Sequence, residues 1–583
     1  MKRSVFTRLL RCCKPYGRFT IAAIGCAILQ ISLTLYAPIL IGQAIDVIVG
    51  PGQVDHLIVL QKIWLLSAVI LAAALFQWVM TYCVNKLTYA TAADLRIRAY
   101  QKLNTLPLQS IDNHAHGDLI SRLVNDVDQI ADGLLQGFTQ FFTGIVTIIG
   151  TILFMLSVSP LITLVVVVIT PLSLFVAAFL TKRSHKLFQQ QQTVQGQLSA
   201  HIEELIGNQK LVKAFCYEDR AYTDFQTLNE SLQHYGQKAQ FISTLTNPST
   251  RFVNNLIYAA VAVTGSLCVI TGWPVSMTIG GITAFLTYAN QYTKPFNEIT
   301  GVITQLQTAA ASAARVFDLL DTPAEPPELP NARPLAHCKG EVTIAHLYFS
   351  YTPERLLIED FNLHVSPGDR IAIVGPTGCG KTTMINLLMR FYEPQSGSIT
   401  IDGVPAQQIT RSSLRSHFGM VLQDSWLFSG TVHENIAYGK PHATQEEVIA
   451  AAKAARVHHF IEQMPNGYDT IIAQDGGNLS QGQRQLLCIA RVMLMSPPML
   501  ILDEATSSID TRTEQQVQAA FEAIMQGRTS FIVAHRLSTI QNATTILVMN
   551  NGKIIEQGTH TQLLAQNGFY ANLYQSQFTQ TIE

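Results

Sequence analysis

The sequence predicts an N-terminal all-α transmembrane domain followed by a C-terminal α/β domain built on a mainly parallel sheet. Three observations carry this. Hydrophobic residues make up 48% of the 583 positions and charged residues only 14%, a charge content low for a soluble protein. The long apolar stretches all fall in the first part of the chain. Residues 375–383 read Gly-Pro-Thr-Gly-Cys-Gly-Lys-Thr-Thr, which fits the phosphate-loop pattern G-x-x-x-x-G-K-[ST].

A membrane span needs about 20 apolar residues at about 1.5 Å each. Six stretches fit: Phe19–Val47, Val59–Val84, Phe138–Val158, Leu161–Leu180, Phe252–Thr271 and Ile279–Tyr292. Ser159-Pro160 splits the third from the fourth as a tight hairpin. Gly50–His56 and Gly272–Ser276 are expected to be short outer loops. The first 18 residues carry Lys2, Arg3, Arg8, Arg11, Lys14 and Arg18 and no acid. The apolar segment that follows is too long for a signal peptide and lacks a cleavage site. This basic flank places the N-terminus in the cytoplasm, with the chain multi-pass in the cytoplasmic (inner or plasma) membrane.

Asn85–Gly137 and Thr181–Arg251 are charged and would lie on the cytoplasmic side. Within them Asn85–Leu106 and His185–Phe241 have few Pro or Gly and a helical apolar spacing, as at Leu198, Ile202, Leu205 and Ile206. Helices continuing well beyond the bilayer explain them better than unstructured loops. Pro323, Pro326, Pro327, Pro330 and Pro334 then mark residues 321–340 as an extended linker. The expected domains are 1–320, the linker 321–340, and 341–583.

In the last domain Arg370–Val374, Met499–Leu502, Ser530–Val533 and Thr545–Met549 read as short buried strands alternating with helices. The phosphate loop follows the first of these and opens a helix at Thr383–Arg390, the context the motif requires. Gly375, Gly378 and Gly380 let backbone N–H groups turn inward around a triphosphate, with Pro376, Thr377, Cys379 and Thr383 completing the loop. Lys381 would reach the β- and γ-phosphates, and the Thr382 hydroxyl would hold Mg²⁺. Met499–Glu504 ends in two carboxylates at the carboxyl end of its strand, where open α/β sheets place their ligands. Asp503 suits Mg²⁺, and Glu504 suits the polarisation of an attacking water.

The nine cysteines show no metal-ligand spacing and read as reduced thiols. With a net charge of −1, no general affinity for nucleic acid is implied, and none is expected as a partner.

Asn478-Leu479-Ser480-Gln481-Gly482-Gln483-Arg484-Gln485 lies about twenty residues before the carboxylate pair. With it, the chain resembles an exporter half-transporter of the ATP-binding-cassette (ABC) family over its whole length. The run is similar to the family signature L-S-G-G-Q. The resemblance implies that Ser480, Gln481, Gly482 and Gln483 meet the γ-phosphate of ATP held by a partner cassette. It further implies that Tyr351 stacks on adenine and Gln423 contacts Mg²⁺ along with Thr382 and Asp503. Ser508-Ile509-Asp510 would cross a dimer interface, and His535 would be a switch histidine at the γ-phosphate beside the catalytic Glu504. Gly117–Asp126 and Val212–Glu218 resemble the two intracellular helical loops that press on the cassettes.

Gln481 departs from the family pattern, which has Gly there, and Ser508-Ile509 stands where Ala-Leu is usual. The variant resembles the half of a heterodimeric, multidrug-type exporter that keeps its catalytic glutamate and lends a weakened signature to its partner. A homodimer tolerating Gln481 is the alternative. The function implied is ATP-driven export of a small amphipathic substrate, such as a drug, lipid or peptide. An importer of siderophore type on the same fold, a soluble ABC ATPase and an ATP-gated channel are the rival readings. The six spans and near-zero charge argue against the soluble ATPase. Glu504 and His535 argue against the channel.

Overall fold

A computed structural model describes residues 2–48, 54–271, 277–352, 356–376, 378–422, 425–473, 476–503, 510–533 and 537–575. The chain divides into two units. One comprises residues 1–105 and 114–322, the other 106–113 and 323–583.

Among its described residues, the named elements of the first unit are all helices. Its helices are α1 (Lys2–Cys13), α2 (Gly17–Asp46) and α3 (His56–Leu103), then, beyond α4 (Leu108–Asp112) of the other unit, α5 (His116–Leu123), α6 (Asn125–Gln136), α7 (Thr143–Val158), α8 (Pro160–Gly207), α9 (Gln209–Ala214), α10 (Glu218–Thr271) and α11 (Ile279–Asp321). A π-helical turn over Gly137–Phe142 joins α6 to α7. Each of the six expected spans lies within one helix or this α6–α7 run, save that Val47 falls one residue past α2. The outer loops expected at Gly50–His56 and Gly272–Ser276 fall largely or wholly outside the described residues. The 48 residues of α3 and the 54 of α10 correspond to about 70 and 80 Å. That is more than twice the roughly 30 Å hydrocarbon thickness, as the charged extensions required.

Among the described residues, four helical stretches are long and apolar enough to cross a membrane: Val5–Asp46, His56–Leu103, His116–Val158 and Glu218–Thr271. The start of α8 is apolar over the shorter Pro160–Leu172. In α11 the apolar stretch runs into Asn290, Gln291, Lys294 and Glu298, which dilutes it.

Local signals set the helix ends. Asp55 caps α3, its carboxylate accepting from the N–H groups of Leu57 and Ile58 at 3.0 and 3.2 Å. Pro160 opens α8 at the first position, where its missing N–H costs nothing. At one end of the bundle α2 and α11 touch backbone to backbone. A Cβ on Gly280 would lie 1.9 Å from the carbonyl oxygen of Gly42, and Asp46 accepts from the Gly280 N–H at 2.8 Å. Near the other end of α11, Arg315 pairs with Asp118 at 2.8 Å and with buried Asp126 at 3.1 Å. Ser312 donates to Asp126 at 2.9 Å. Arg8 grips Asp321 with two contacts of 2.5 and 2.8 Å. The Gly117–Asp126 run is thus helical and anchored to α11.

The second unit contains α4 and two main sheets. The strands are β1 (Val342–Phe349), β2 (Ile358–Val365), β3 (Arg370–Val374), β4 (Ser396–Ile401), β5 (Val404–Pro405), β6 (Phe418–Val421), β7 (Gly430–Thr431), β8 (Ile471–Ile472), β9 (Met499–Asp503), β10 (Thr529–Val533), β11 (Thr545–Asn550) and β12 (Lys553–Gly558). The helices are α12 (Lys381–Leu388), α13 (Arg411–Ser416), α14 (Val432–Ala437), α15 (Gln445–Ala454), α16 (His458–Glu462), α17 (Gln481–Met495), α18 (Thr511–Met525), α19 (Leu537–Gln541), α20 (His560–Ala565) and α21 (Phe569–Tyr574).

The six-stranded sheet runs β12-β11-β3-β10-β9-β6, parallel except for β12. Alternation along its strands explains their unbroken apolar runs. Leu500, Leu502, Ala372, Val374 and Ile532 enter the core shared with α17 and α18. Met499, Ile501, Ile371, Ile373 and Phe531 enter the opposite core with α12. A sheet buried on both faces has no polar side to alternate with.

The four-stranded antiparallel sheet β2-β1-β4-β5 is absent from the sequence reading. Its strands are half-polar, as in β2, whose exposure alternates.

The proline-rich stretch after α11 is non-helical, and it is held down. Glu325 pairs with Arg411 and Arg415 at 3.2 and 3.1 Å. Arg411 also donates to the Pro326 carbonyl at 2.7 Å, and its backbone N–H donates to Glu328 at 2.7 Å.

Candidate functional site

The phosphate-loop run leaves the carboxyl end of β3 and enters α12. Its backbone is set by close approach and by handedness. A Cβ on Gly375 would lie 2.2 Å from the Met549 carbonyl oxygen on β11. Gly380 caps α12 at φ +105°, a left-handed conformation that disfavours any side chain. The Cys379 side chain is buried, and its carbonyl accepts from the Gly552 N–H at 3.0 Å. Lys381, the first residue of α12, turns back over the loop. Its ammonium donates to the carbonyl oxygens of Gly375 and Pro376 at 2.8 and 3.1 Å. Thr382 is exposed beside it and Thr383 is buried. A glycine-shaped turn, a helix N-terminus and an ammonium folded onto the loop form a donor set that fits a triphosphate.

Asp503 ends β9, where it pairs with Val533 at the end of β10. Both strands run parallel to β3 through β10, so all three carboxyl ends lie on one edge of the sheet. Thr377, Gln423, Glu504, Ser508, Ile509 and His535 lie outside the described residues. Asp510, at the start of α18, caps that helix by accepting from the Thr513 N–H at 2.9 Å. This backbone hydrogen bond holds its carboxyl below the usual carboxylate range.

Tyr351 sits beside α12 and is 38% exposed. Its hydroxyl donates to the Thr383 Oγ1 at 3.2 Å and accepts from Asn386 at 3.3 Å. Its ring meets Phe349 and Tyr392 edge-on, with centroids 4.9 and 5.0 Å apart. Sequence reasoning missed Tyr392. Buried at the end of the α12 segment, it donates its hydroxyl to Asp112 of α4 at 2.8 Å. Burial first, and the Asp112 carboxylate second, push its phenol above the ordinary range. The only signal in the chain was an aromatic residue two places after Arg390. Nothing local pointed to a partner 280 residues away.

Ser480 caps α17 in a reciprocal pair. Its Oγ accepts from the Gln483 N–H at 3.3 Å, and the Gln483 side chain accepts from the Ser480 N–H at 2.9 Å. Gln481 is the half-buried first residue of that helix, and Gly482 is buried. In the membrane unit, Val212–Glu218 covers the end of α9 and the start of α10. Leu211 and Phe215 are exposed there.

Residues 358–507 match the ABC transporter family, and residues 20–296 match the ABC transporter transmembrane region. A fatty acid ABC transporter ATP-binding/permease protein of Mycobacterium tuberculosis (strain CDC 1551 / Oshkosh) is 46% identical over 523 residues, covering 90% of this chain and 82% of the relative. The chain belongs to the ABC transporter family. Two further relatives extend over nearly all of this ABC transporter. An ATP-dependent lipid A-core flippase of Syntrophus aciditrophicus is 34% identical over 99% of this chain and 95% of the relative. A putative multidrug export ATP-binding/permease protein, YgaD, of Bacillus subtilis is 35% identical over 98% and 99%. The structure of a bacterial Atm1-family ABC exporter with ATP bound matches at a TM-score of 0.76 and 30% identity, covering 96% of this chain and 98% of that one. The chain is therefore a multi-pass membrane ABC exporter half, a helical transmembrane domain followed by an ATP-hydrolysing cassette coupled to transport.

Proposed function

We propose that this ABC transporter exports a small amphipathic, lipid-like substrate as one half of a dimer, with its N-terminus and cassette in the cytoplasm. The observation that carries the substrate class is the company it keeps. The relative at 46% identity is named for fatty acid, and another for lipid A-core. Fatty acids and lipid A share an apolar body and an anionic head. Purified transporter in proteoliposomes should show ATPase stimulation by long-chain fatty acids and ATP-dependent movement of a labelled fatty acid. Stimulation by none of a panel of fatty acids, lipids and apolar drugs would overturn the substrate class.

Within the cassette, the loop from Gly375 to Thr383 would wrap the phosphates, with Lys381 at the β- and γ-phosphates and Tyr351 against adenine. Thr382, Gln423 and Asp503 would hold Mg²⁺, which offsets phosphate charge when bound. Glu504 would accept a proton from the attacking water, and His535 would contact the γ-phosphate. Ser480–Gln483 would complete the partner's site, using the N-terminus of α17.

The partner is a different ABC chain in this reading. Gln481 places a side chain at the first turn of α17 where the family pattern has none. A helix N-terminus reaches an anion through its N–H groups, so an added side chain there weakens the site it serves. Glu504 keeps this chain's own site competent.

A further inference from the structure

We propose that Lys294 and Glu298 of α11 form a headgroup site that selects a singly charged carboxylate over a doubly charged phosphate. This rests on the reading of the chain as an exporter of lipid-like amphiphiles. A span needs about 20 residues, so one that begins with α11 at Ile279 takes in both side chains. Lys294 lies about 22 Å along the helix from Ile279. Lys182 of α8 and Arg251 of α10 lie about 33 and 30 Å along their helices from Pro160 and Thr271. Those two cations fall at the edge of a hydrocarbon core of about 30 Å, whereas Lys294 falls inside it. A charge at that depth is costly unless it meets water or a partner.

The packing of α11 gives it both. Phe285, Tyr288, Ala289 and Tyr292 enter the helical core. Among the described residues from 283 to 298, the exposed ones are Asn290, Lys294 and Glu298. Each is four positions from the next, so the three share one face. By contrast α3 exposes large apolar side chains, Leu60, Trp64, Leu71 and Trp78 among them, as a face for lipid tails requires. A polar open face at membrane depth lines water-filled space, which in a transporter half is the space the substrate crosses. There the Lys294 ammonium and the Glu298 carboxylate stand 3.9 Å apart. That is close enough to balance charge and too far for a hydrogen bond. Lysine one turn before glutamate is also the weaker order for such a pair. A substrate carboxylate can therefore take Lys294 over, making the direct charge-assisted hydrogen bond that Glu298 does not. Glu298 stays tethered close by and repels every negative charge on the incoming head. One charge is answered by Lys294. A second meets the glutamate and finds no further cation among the three exposed residues.

The test uses the full transporter in proteoliposomes at pH 8 and three amphiphiles with the same dodecyl-length chain: laurate, dodecyl phosphate and dodecanol. Their heads are singly charged, doubly charged and neutral. The readout is the concentration of each that gives half-maximal stimulation of ATP hydrolysis. Wild type should respond to laurate at the lowest concentration. Lys294→Gln should raise the laurate value about tenfold, the scale of one hydrogen bond between charged groups, and leave the dodecanol value unchanged. Lys294→Arg keeps the charge and should keep most of the laurate response. Glu298→Gln should lower the dodecyl phosphate value by more than the laurate value, because the second charge loses its opponent. Equal shifts for laurate and dodecanol in Lys294→Gln would mark a merely structural lysine and overturn the site, as would no shift in either. An unchanged ratio of phosphate to laurate in Glu298→Gln would overturn the charge selection. A wild type that answers none of the three amphiphiles would remove the lipid-like substrate reading itself, and the headgroup site would fall with it.

Discussion

The Lys381 ammonium lies 2.8 Å from the carbonyl oxygen of Gly375, six residues earlier in the chain. The lysine thus closes its own loop, donating to the carbonyl oxygens of Gly375 and Pro376. A triphosphate offers stronger, charged acceptors at the same place, so the side chain has little reorganisation to undergo on binding. Lys381→Ala should weaken ATP binding by about 10- to 100-fold, the range for hydrogen bonds to a charged partner. Equilibrium binding of a fluorescent ATP analogue checks this, and wild-type affinity would reject the role assigned to the lysine.

Glu504→Gln is expected to fail at a later step. The phosphate contacts made by the glycine loop and Lys381 remain, while the water loses its proton acceptor. Turnover should fall by at least about 10²-fold with nucleotide affinity near wild type. Single-turnover hydrolysis and ATP binding measured on the same sample separate the two effects. Near-normal hydrolysis would show that the base lies elsewhere.

Gly42 and Gly280 let α2 and α11 meet backbone to backbone. A Cβ at Gly280 would fall 1.9 Å from the Gly42 carbonyl oxygen and 2.7 Å from an Asp46 carboxylate oxygen. Backbone cannot yield as a side chain can, so Gly280→Ala must separate the helices or break the Asp46 hydrogen bond. The cost should be about 1–3 kcal/mol, as for other overpacked contacts. Gly301, on the same helix, has nothing within 4 Å of an added Cβ, and Gly301→Ala should be neutral or slightly stabilising. Thermal unfolding of both variants in one detergent provides the comparison. Equal Tm values would show that the crossing tolerates a methyl group.

Legibility of the sequence tracked how local each signal was. Arg370–Val374 and Met499–Asp503 were plain because both faces of the parallel sheet are buried, leaving unbroken apolar runs. The long helices were legible because the charged stretches Asn85–Leu106 and His185–Phe241, found largely in α3, α8 and α10, kept helical spacing with few prolines or glycines. Strands β1, β2 and β4 were not legible, since a sheet half open to solvent mixes His346, Asp360 and Ser398 with its apolar residues. The phosphate loop announced itself by its glycines. Asp112 and Tyr392 did not, because their meaning lies in a hydrogen bond between residues 280 positions apart. Residues 321–340 read as an extended linker. Its prolines did exclude helix, but Glu325 and Glu328 have partners, Arg411 and Arg415, that only the folded chain brings near.

The Gln481 position provides the sharpest test of how the transporter is assembled. Ser480 and Gln483 cap α17 reciprocally, so the helix start is well formed and the departure from the family pattern is confined to one side chain. If the site served by this signature hydrolyses poorly in any case, Gln481→Gly should change turnover by no more than about threefold, the effect of an adjusted contact rather than a lost one. If the chain works as a homodimer, both sites use Gln481, and the same change should alter turnover strongly. Glu504→Gln sharpens the contrast. In a heterodimer it should silence nearly all hydrolysis even though the second chain is unmutated, because the competent site takes its carboxylate from this chain alone. Purification of the tagged chain from its native membrane, with mass analysis of what accompanies it, decides between the two. An equimolar second ABC chain lacking a carboxylate at the position corresponding to Glu504 is the expected result. A fully active assembly containing this chain alone would reject the heterodimer.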